Sequence, residues 1–333
     1  MKVGMVVNPN VLCGIREHAM NFLGHLKTPC VVLSQDPEAT SHAQFFESAI
    51  QQGVTILHIQ HEFSLFRNPE AFTELLEMAA LGDVKIIMDL HTGPADKAVI
   101  LLKSWLELSA LCIVHSDNMA GAFPEAVQVP LAVSDESLWA PEADVLVEDS
   151  QPIVGTFGFY VKHKGFMDVA QAMATVRRVY PGAKLLIVGS HVLPHQDAYF
   201  KSVKNTAQTG PHLLLDRYMS APEVTRTLAV CDALVLAYRT NGVSQSGAVE
   251  TIFTAGRPVL ISSSTLLSHV PTDVSAGYFP VDASARKIGD ALLEVIEKHQ
   301  LPSCVCVSRT RLVARRGSLL AGIYDSIYED LSR

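Results

Sequence analysis

What most constrains this chain is a repeated alternation. Short runs of Val, Ile and Leu, apolar along their whole length, are separated by amphipathic segments of helical period. In the first half the runs are Val3–Val7, Val31–Leu33, Val54–Ile59, Val84–Leu90, Ala110–Val114 and Val127–Val129, with helical stretches near 14–26, 41–52, 70–81 and 97–108. A strand that shows no polar face is covered on both sides. Such strands alternating with helices specify a parallel sheet sandwiched between helical layers.

The rhythm stops over residues 131–151, an acidic stretch containing Pro141, and then restarts. The second set of runs is Ile153–Phe159, Lys184–Val188, Leu213–Leu215, Ala233–Ala237, Val259–Ser262 and Tyr278–Val281. Helical patterns lie near 165–179, 196–207, 221–231, 246–255 and 284–298. The expected fold is α/β, with two Rossmann-like doubly wound domains facing a cleft. The boundaries read as 1–133 for the first domain, 134–151 for a linker and hinge, 152–308 for the second domain and 309–333 for a C-terminal helix. Leu312, Ala314, Leu319, Leu320, Ile323, Ile327 and Leu331 form the apolar stripe of that helix, which is long enough to cross back to the first domain.

The length of 333 residues suits two such domains. The net charge of -8 argues against general affinity for nucleic acid. No apolar run reaches the length of a membrane span, and the N-terminus lacks the pattern of a signal peptide. The expected location is cytoplasmic, with peripheral contact at the inner face of a membrane left open. The six cysteines form no CxxC pair. Cys112 and Cys231 sit in apolar runs as small hydrophobes, and no zinc spacing is present.

Open α/β sheets bind ligands at the C-terminal ends of their strands. After the first strand, Gly14 and Ile15 open a helix, which fits either close approach to an anion or a plain tight turn. After the third come Gln60, His61, Glu62 and Phe63, either part of a ligand wall or a surface ion pair. His91 follows the fourth strand; taken alone, it reads more readily as structural. In the second half, Gly158 leaves a strand and is followed by Lys162-His163-Lys164-Gly165, a turn suited to a phosphate. Tyr238 and Arg239 end another strand. Ser244, Gln245, Ser246 and Gly247 then open a helix bearing Glu250 one turn in, which forms an anion cradle beside a carboxylate able to reach sugar hydroxyls. The same residues also fit an ordinary capped helix.

In order and spacing these elements resemble the GT-B glycosyltransferases, specifically the retaining family called group 1 or GT4. The likeness spans nearly the whole chain. Cys13-Gly14-Ile15 is similar to that family's glycine loop, Leu90-His91-Thr92 to its "LH" strand end, and Val114-His115-Ser116 to its "VHS" element. Gly158 through Lys164-Gly165 resembles its donor loop. Ser246-Gly247-Ala248-Val249-Glu250 and Ala255-Gly256-Arg257-Pro258-Val259 complete the match.

The resemblance implies a retaining hexosyltransferase that uses a nucleoside diphosphate sugar and a glycan, lipid-linked or small-molecule acceptor. Lys164 would pair with the diphosphate, Ser246 and Gly247 would hold phosphate oxygens, and Glu250 would bind the ribose. His91 would sit near the transferred sugar and Gly14-Ile15 beside the phosphates. Gly158, Lys162, Tyr238, Arg239, Ser244 and Gln245 would line the donor, and His61 and Glu62 the acceptor side.

Two positions depart from the family pattern. Gly242 stands where an acidic residue usually contacts the donor sugar, and Phe159 where the donor loop usually has an arginine. Lys162 or Arg239 would then supply the second positive charge. The chain contains no Asp-x-Asp motif, so no cofactor and no obligatory divalent cation are expected. The competing readings are a non-catalytic nucleotide-sugar-binding subunit and an epimerase or phosphorylase on the same scaffold.

Overall fold

The computed structural model of the chain describes residues 1–7, 13–34, 36–93, 99–138, 151–191, 197–242, 246–267, 270, 276–298 and 312–333. They divide into two compact units. The first holds Met1–Ala132 and Arg315–Arg333; the second holds Val133–Gly242 and Ser246–Ala314. Among the described residues, no helix is long and apolar enough to cross a membrane.

In the first unit the strands are β1 (Val3–Val6), β2 (Cys30–Leu33), β3 (Ile56–His61), β4 (Lys85–Leu90), β5 (Leu111–Val114) and β6 (Val127–Gln128). They pair in parallel in the order β2-β1-β3-β4-β5-β6. The helices are α1 (Gly14–Leu23), α2 (Ala43–Gln51), α3 (Pro69–Leu81), α4 (Val99–Glu107) and α5 (Asp117–Ala122). α3 starts where expected because Asn68 accepts a hydrogen bond from the Ala71 amide and Pro69 follows it. One face of the sheet packs Leu57, Ile59, Phe72, Leu76, Met88 and Trp105; the other packs Val3, Met5, Phe22, Ile56, Ile87 and Ile113.

The second unit begins with the short α6 (Asp135–Leu138). It continues with β7 (Ile153–Phe159), α7 (Phe166–Val179), β8 (Lys184–Ser190), α8 (Asp197–Ala207), β9 (His212–Asp216) and α9 (Ala221–Leu228). β10 (Ala233–Leu236), α10 (Gly247–Thr254), β11 (Val259–Ser262), β12 (Gly277–Phe279) and α11 (Ala285–Lys298) complete it. Its parallel sheet runs β12-β11-β10-β7-β8-β9. Counted within the unit this is the 3-2-1-4-5-6 order of dinucleotide-binding folds, and it reverses direction between β7 and β10. Buried layers lie on both faces of this sheet as well. Cys231 is one of the core residues, packed as a small hydrophobe.

The C-terminal helix, α12 (Gly317–Leu331), packs on α1 and the β1 face of the first unit, as the expected crossing-back requires. Its buried stripe differs from the one read from the sequence. Leu319 and Ile323 are exposed, while Leu320, Ala321, Tyr324, Asp325 and Tyr328 face inward. The reason is polar. Tyr328 Oη bonds His58 Nδ1 at 2.7 Å, and Tyr324 Oη donates to Asp89. Asp325 accepts from the Lys27 and Thr28 amides at 3.0 and 2.9 Å. Aromatic rings with hydrogen-bonded tips, together with a capped carboxylate, outcompete the aliphatic residues for the inner face.

Candidate functional site

The switch point of the second sheet carries the lysine turn. β7 ends in Gly158-Phe159, and Lys162–Lys164 form one 3-10 turn closed by Gly165 in the left-handed region at φ 71°. A Cβ on Gly165 would stand 1.8 Å from the Ala237 carbonyl oxygen at the end of β10. The turn is therefore pressed against β10, and the Arg239 amide donates to the His163 carbonyl across the join at 2.7 Å. Gly158, at φ 143°, leaves the room that Lys164 occupies: a Cβ there would lie 3.0 Å from Lys164 Cδ. Gly165→Ala is expected to lower stability by about 3 kcal/mol or more, through backbone strain plus a main-chain clash. A denaturation midpoint equal to that of the wild type would refute this.

Held this way, Lys164 extends along the sheet edge. Its Nζ donates to Tyr238 Oη at 2.7 Å and to Ser246 Oγ at 3.3 Å, and those two hydroxyls bond each other. Its hydrogen-bond partners among the described residues are hydroxyls and not a carboxylate, so its charge is not neutralised by them. Ser246 is also the N-cap of α10, but its side chain does not cap the helix. The first amides of α10, with the positive end of the helix dipole, thus stand next to an ammonium group. Glu250 sits in the first turn of the same helix and is buried. Lysine, hydroxyls and helix N-terminus form a compact cationic corner that suits a phosphate or diphosphate.

The structure brings together Gly158, Lys164, Tyr238, Ser246, Gly247 and Glu250. Lys162 is on the same turn and exposed. Arg239 is a correction. Its guanidinium pairs with Asp168 and donates to the Val281 and Ala283 carbonyls at 2.7 Å each. The Asp168 hydrogen bond holds its pKa above the usual arginine value. With its donors occupied in tying strand ends together, it does not supply the second charge for a donor. Ser244 and Gln245, and residues 139–150 of the expected hinge, lie outside the described residues.

In the first unit, Gly14 is exposed at the start of α1 with Ile15 beside it, as expected, and Glu62 is half-buried after β3. His61 is the second correction. It is fully buried, stacked on Phe66 with centroids 5.4 Å apart and enclosed by Phe63, Phe72 and Trp105. Neither ring nitrogen has a hydrogen-bond partner. The imidazole behaves as an aromatic ring of the core, with no surface to offer an acceptor. Phe63, read as part of a ligand wall, forms its cage with Phe66 instead.

Burial lowers the His61 pKa to about 3 and the His18 pKa to about 4, from 6.5. Both therefore stay neutral in the folded chain at pH values where the unfolded chain takes up protons. Their stabilising effect is complete above pH 6.5 and is lost as pH falls toward 4, at about 1.4 kcal/mol per pH unit for each histidine. His61→Phe is expected to raise the melting temperature, because it removes two unsatisfied polar atoms from the core. The gain should be larger at pH 5 than at pH 7.5, by about 2 kcal/mol. Equal effects at both pH values would contradict this.

His91 closes a network that the sequence did not announce. Register places Gln60 beside Asp89 on neighbouring strands. Asp89 is completely buried, and its Oδ2 accepts from His58 Nε2 at 3.0 Å, Gln60 Nε2 at 3.0 Å and Tyr324 Oη at 3.3 Å. His115 Nε2 lies 2.7 Å from its Oδ1. Burial alone would push this carboxyl up, but His115 foremost, with hydrogen bonds from His115, His18 and His58, holds it well below the usual carboxylate range. His91 donates from Nε2 to Gln60 Oε1 at 2.8 Å, and burial, then the neighbouring His115, keeps it neutral. The signal available in the sequence was polar residues inside otherwise apolar strands: His58 and Gln60 in ILHIQH, and Asp89 in KIIMDL.

No protein-family profile matches the chain, and no curated protein matches it in sequence. Solved structures do. A glycosyltransferase from Rickettsia africae matches with a TM-score of 0.72 at 10% identity, covering 100% of this chain and 98% of that one. Anabaena HepE in complex with UDP-glucose matches at 0.71 and 14%, covering 100% and 99%. Sucrose-phosphate synthase from Thermosynechococcus elongatus matches at 0.75 and 14%, covering 99% of each chain. The fold is that of the GT-B glycosyltransferases.

Proposed function

We propose that the chain transfers a hexosyl group from a nucleoside diphosphate sugar to an acceptor, with retention of anomeric configuration. The observation that carries this reading is the Lys164–Tyr238–Ser246 corner at the switch point of the second sheet. An ammonium with hydroxyl partners stands at an uncapped helix start, where two phosphates fit and where charge grows as a diphosphate departs. Lys164 stabilises that charge, the amides of Ser246 and Gly247 hold phosphate oxygens, and Glu250 accepts from ribose hydroxyls. Lys162 adds a second positive charge from the same turn. His91, kept neutral, serves the transferred sugar through hydrogen bonding and not as an acid; Gly14 and Ile15 serve the phosphates, and Glu62 the acceptor.

The neighbours whose names specify a ligand or product support a sugar nucleotide as donor: HepE was solved with UDP-glucose, and a starch synthase from Arabidopsis thaliana with ADP. The reaction needs no divalent cation at the diphosphate, since lysine and helix amides supply the positive potential there.

Incubating the chain with UDP-, GDP- and ADP-sugars and a panel of acceptors tests this. The expected result is acceptor-dependent release of nucleoside diphosphate, with the donor's anomeric configuration preserved in the product by NMR. Donor binding without transfer or hydrolysis would favour a non-catalytic nucleotide-sugar-binding subunit, the reading that Gly242 and Phe159 suggest. Turnover lost on chelation and restored by Mg2+ or Mn2+ would overturn the metal-independent step.

A further inference from the structure

The lysine turn holds a third ionisable side chain that the sugar-transfer reading does not use. His163 lies between Lys162 and Lys164 in the 3-10 turn after β7 and is exposed. Its backbone is fixed, because the His163 carbonyl accepts the Arg239 amide at 2.7 Å. Its ring meets the Tyr238 ring edge-on, with centroids 6.3 Å apart. The Lys164 ammonium lies 4.9 Å from the centroid of that same ring and donates to its hydroxyl. The imidazole and the ammonium therefore share one tyrosine, whose hydroxyl bonds Ser246 at the start of α10.

The surroundings of His163 disfavour a charged ring in the free chain. Lys162 and Lys164 flank it on its own turn. Tyr238 is the titratable group packed against its ring, and the guanidinium of Arg239 is paired with Asp168. Partial desolvation, then the Lys164 charge, holds the His163 pKa below the ordinary imidazole value. At neutral pH the turn therefore carries two positive charges and a neutral imidazole. A bound diphosphate reverses that balance, because negative charge close to an imidazole favours its protonated form. The diphosphate of a sugar nucleotide has no phosphate group that titrates near neutrality, so the proton gained belongs to the protein.

We propose that His163 takes up a proton from solvent as the diphosphate enters the corner at Lys164, Tyr238 and Ser246, adding a positive charge that the free chain lacks. The inference rests on the sugar-nucleotide reading of that corner and makes donor binding dependent on pH. Its sign follows from linkage. The complex binds more protons than its separated parts, so affinity falls as pH rises through the imidazole range. Lys162 and Lys164 attract the diphosphate at every pH in this range, and His163 responds only once it has arrived.

The full chain is titrated calorimetrically with UDP-, GDP- and ADP-glucose from about pH 6 to about pH 8.5, and its histidines are followed by NMR over the same range. His163→Gln identifies the His163 resonance. The expected result is donor binding that weakens by about 5-fold across this range. The His163 titration midpoint should lie about one pH unit higher in the complex than in the free chain. His163→Gln should show the weaker affinity at both ends of the range, and His163→Lys, whose charge is permanent, the tighter one. Binding with an unshifted His163 midpoint, or a pH dependence that persists in His163→Gln, would overturn the proposal while the donor reading stands. Binding of none of the three sugar nucleotides would overturn both.

Discussion

Lys164→Ala is expected to lower turnover by about 100-fold or more, the range for losing one preorganised group that stabilises developing charge. The loss should fall on kcat more than on KM, because in the proposed reaction the ammonium would interact most strongly with the departing diphosphate. The fold should survive. The side chain is only partly buried, and the residues that position it, Gly158, Gly165 and Tyr238, remain in place. Tyr238→Phe removes one of the two hydroxyls that aim the ammonium and should cost less. Turnover of Lys164→Ala within a few-fold of wild type would mean that the lysine turn holds no phosphate during the reaction.

The second large effect concerns stability. Asp89→Ala should destabilise the first unit by about 3–5 kcal/mol, the range for breaking a buried charge network by removing one partner. His58 Nε2, Gln60 Nε2 and Tyr324 Oη would all lose the carboxylate oxygen they share. For a unit of this size the melting transition should fall by about 10 °C or more. Asp89→Asn keeps one acceptor oxygen and should cost less. Calorimetry of wild type and variant measures this network effect directly. A shift below about 2 °C for Asp89→Ala would show that the histidines and tyrosines pair among themselves without it.

The alternation of apolar runs and helices was legible because burial on both faces leaves a strand few polar positions, and that pattern located the twelve strands among the described residues to within a few residues. The lysine turn was legible for a related reason. Glycine at φ 71° with no room for a Cβ is a strong local constraint, and it lies beside two lysines. Pairings made across the chain were not legible. Nothing near Arg239 in sequence shows that Asp168 and two carbonyls after β12 will claim its guanidinium. His61 lies next to a glutamate in sequence, yet strand alternation sends it into the aromatic core. Tyr324 and Tyr328 were passed over in favour of leucines because their partners, Asp89 and His58, sit more than two hundred residues away. The Asp89 cluster draws on α1, β3, β4, the end of β5 and α12, and no linear spacing could assemble it.

The proposed sugar transfer requires the cationic corner at Lys164 and Ser246 to receive the diphosphate of a sugar nucleotide. Isothermal titration of the wild-type chain and of Lys164→Ala with UDP-, GDP- and ADP-sugars tests that most directly. The predicted result is stoichiometric binding of at least one of them to the wild type, weakened by about 10-fold or more in the variant, as expected for losing a charge-assisted hydrogen bond. Binding of none of them, or equal affinity in both proteins, would contradict it.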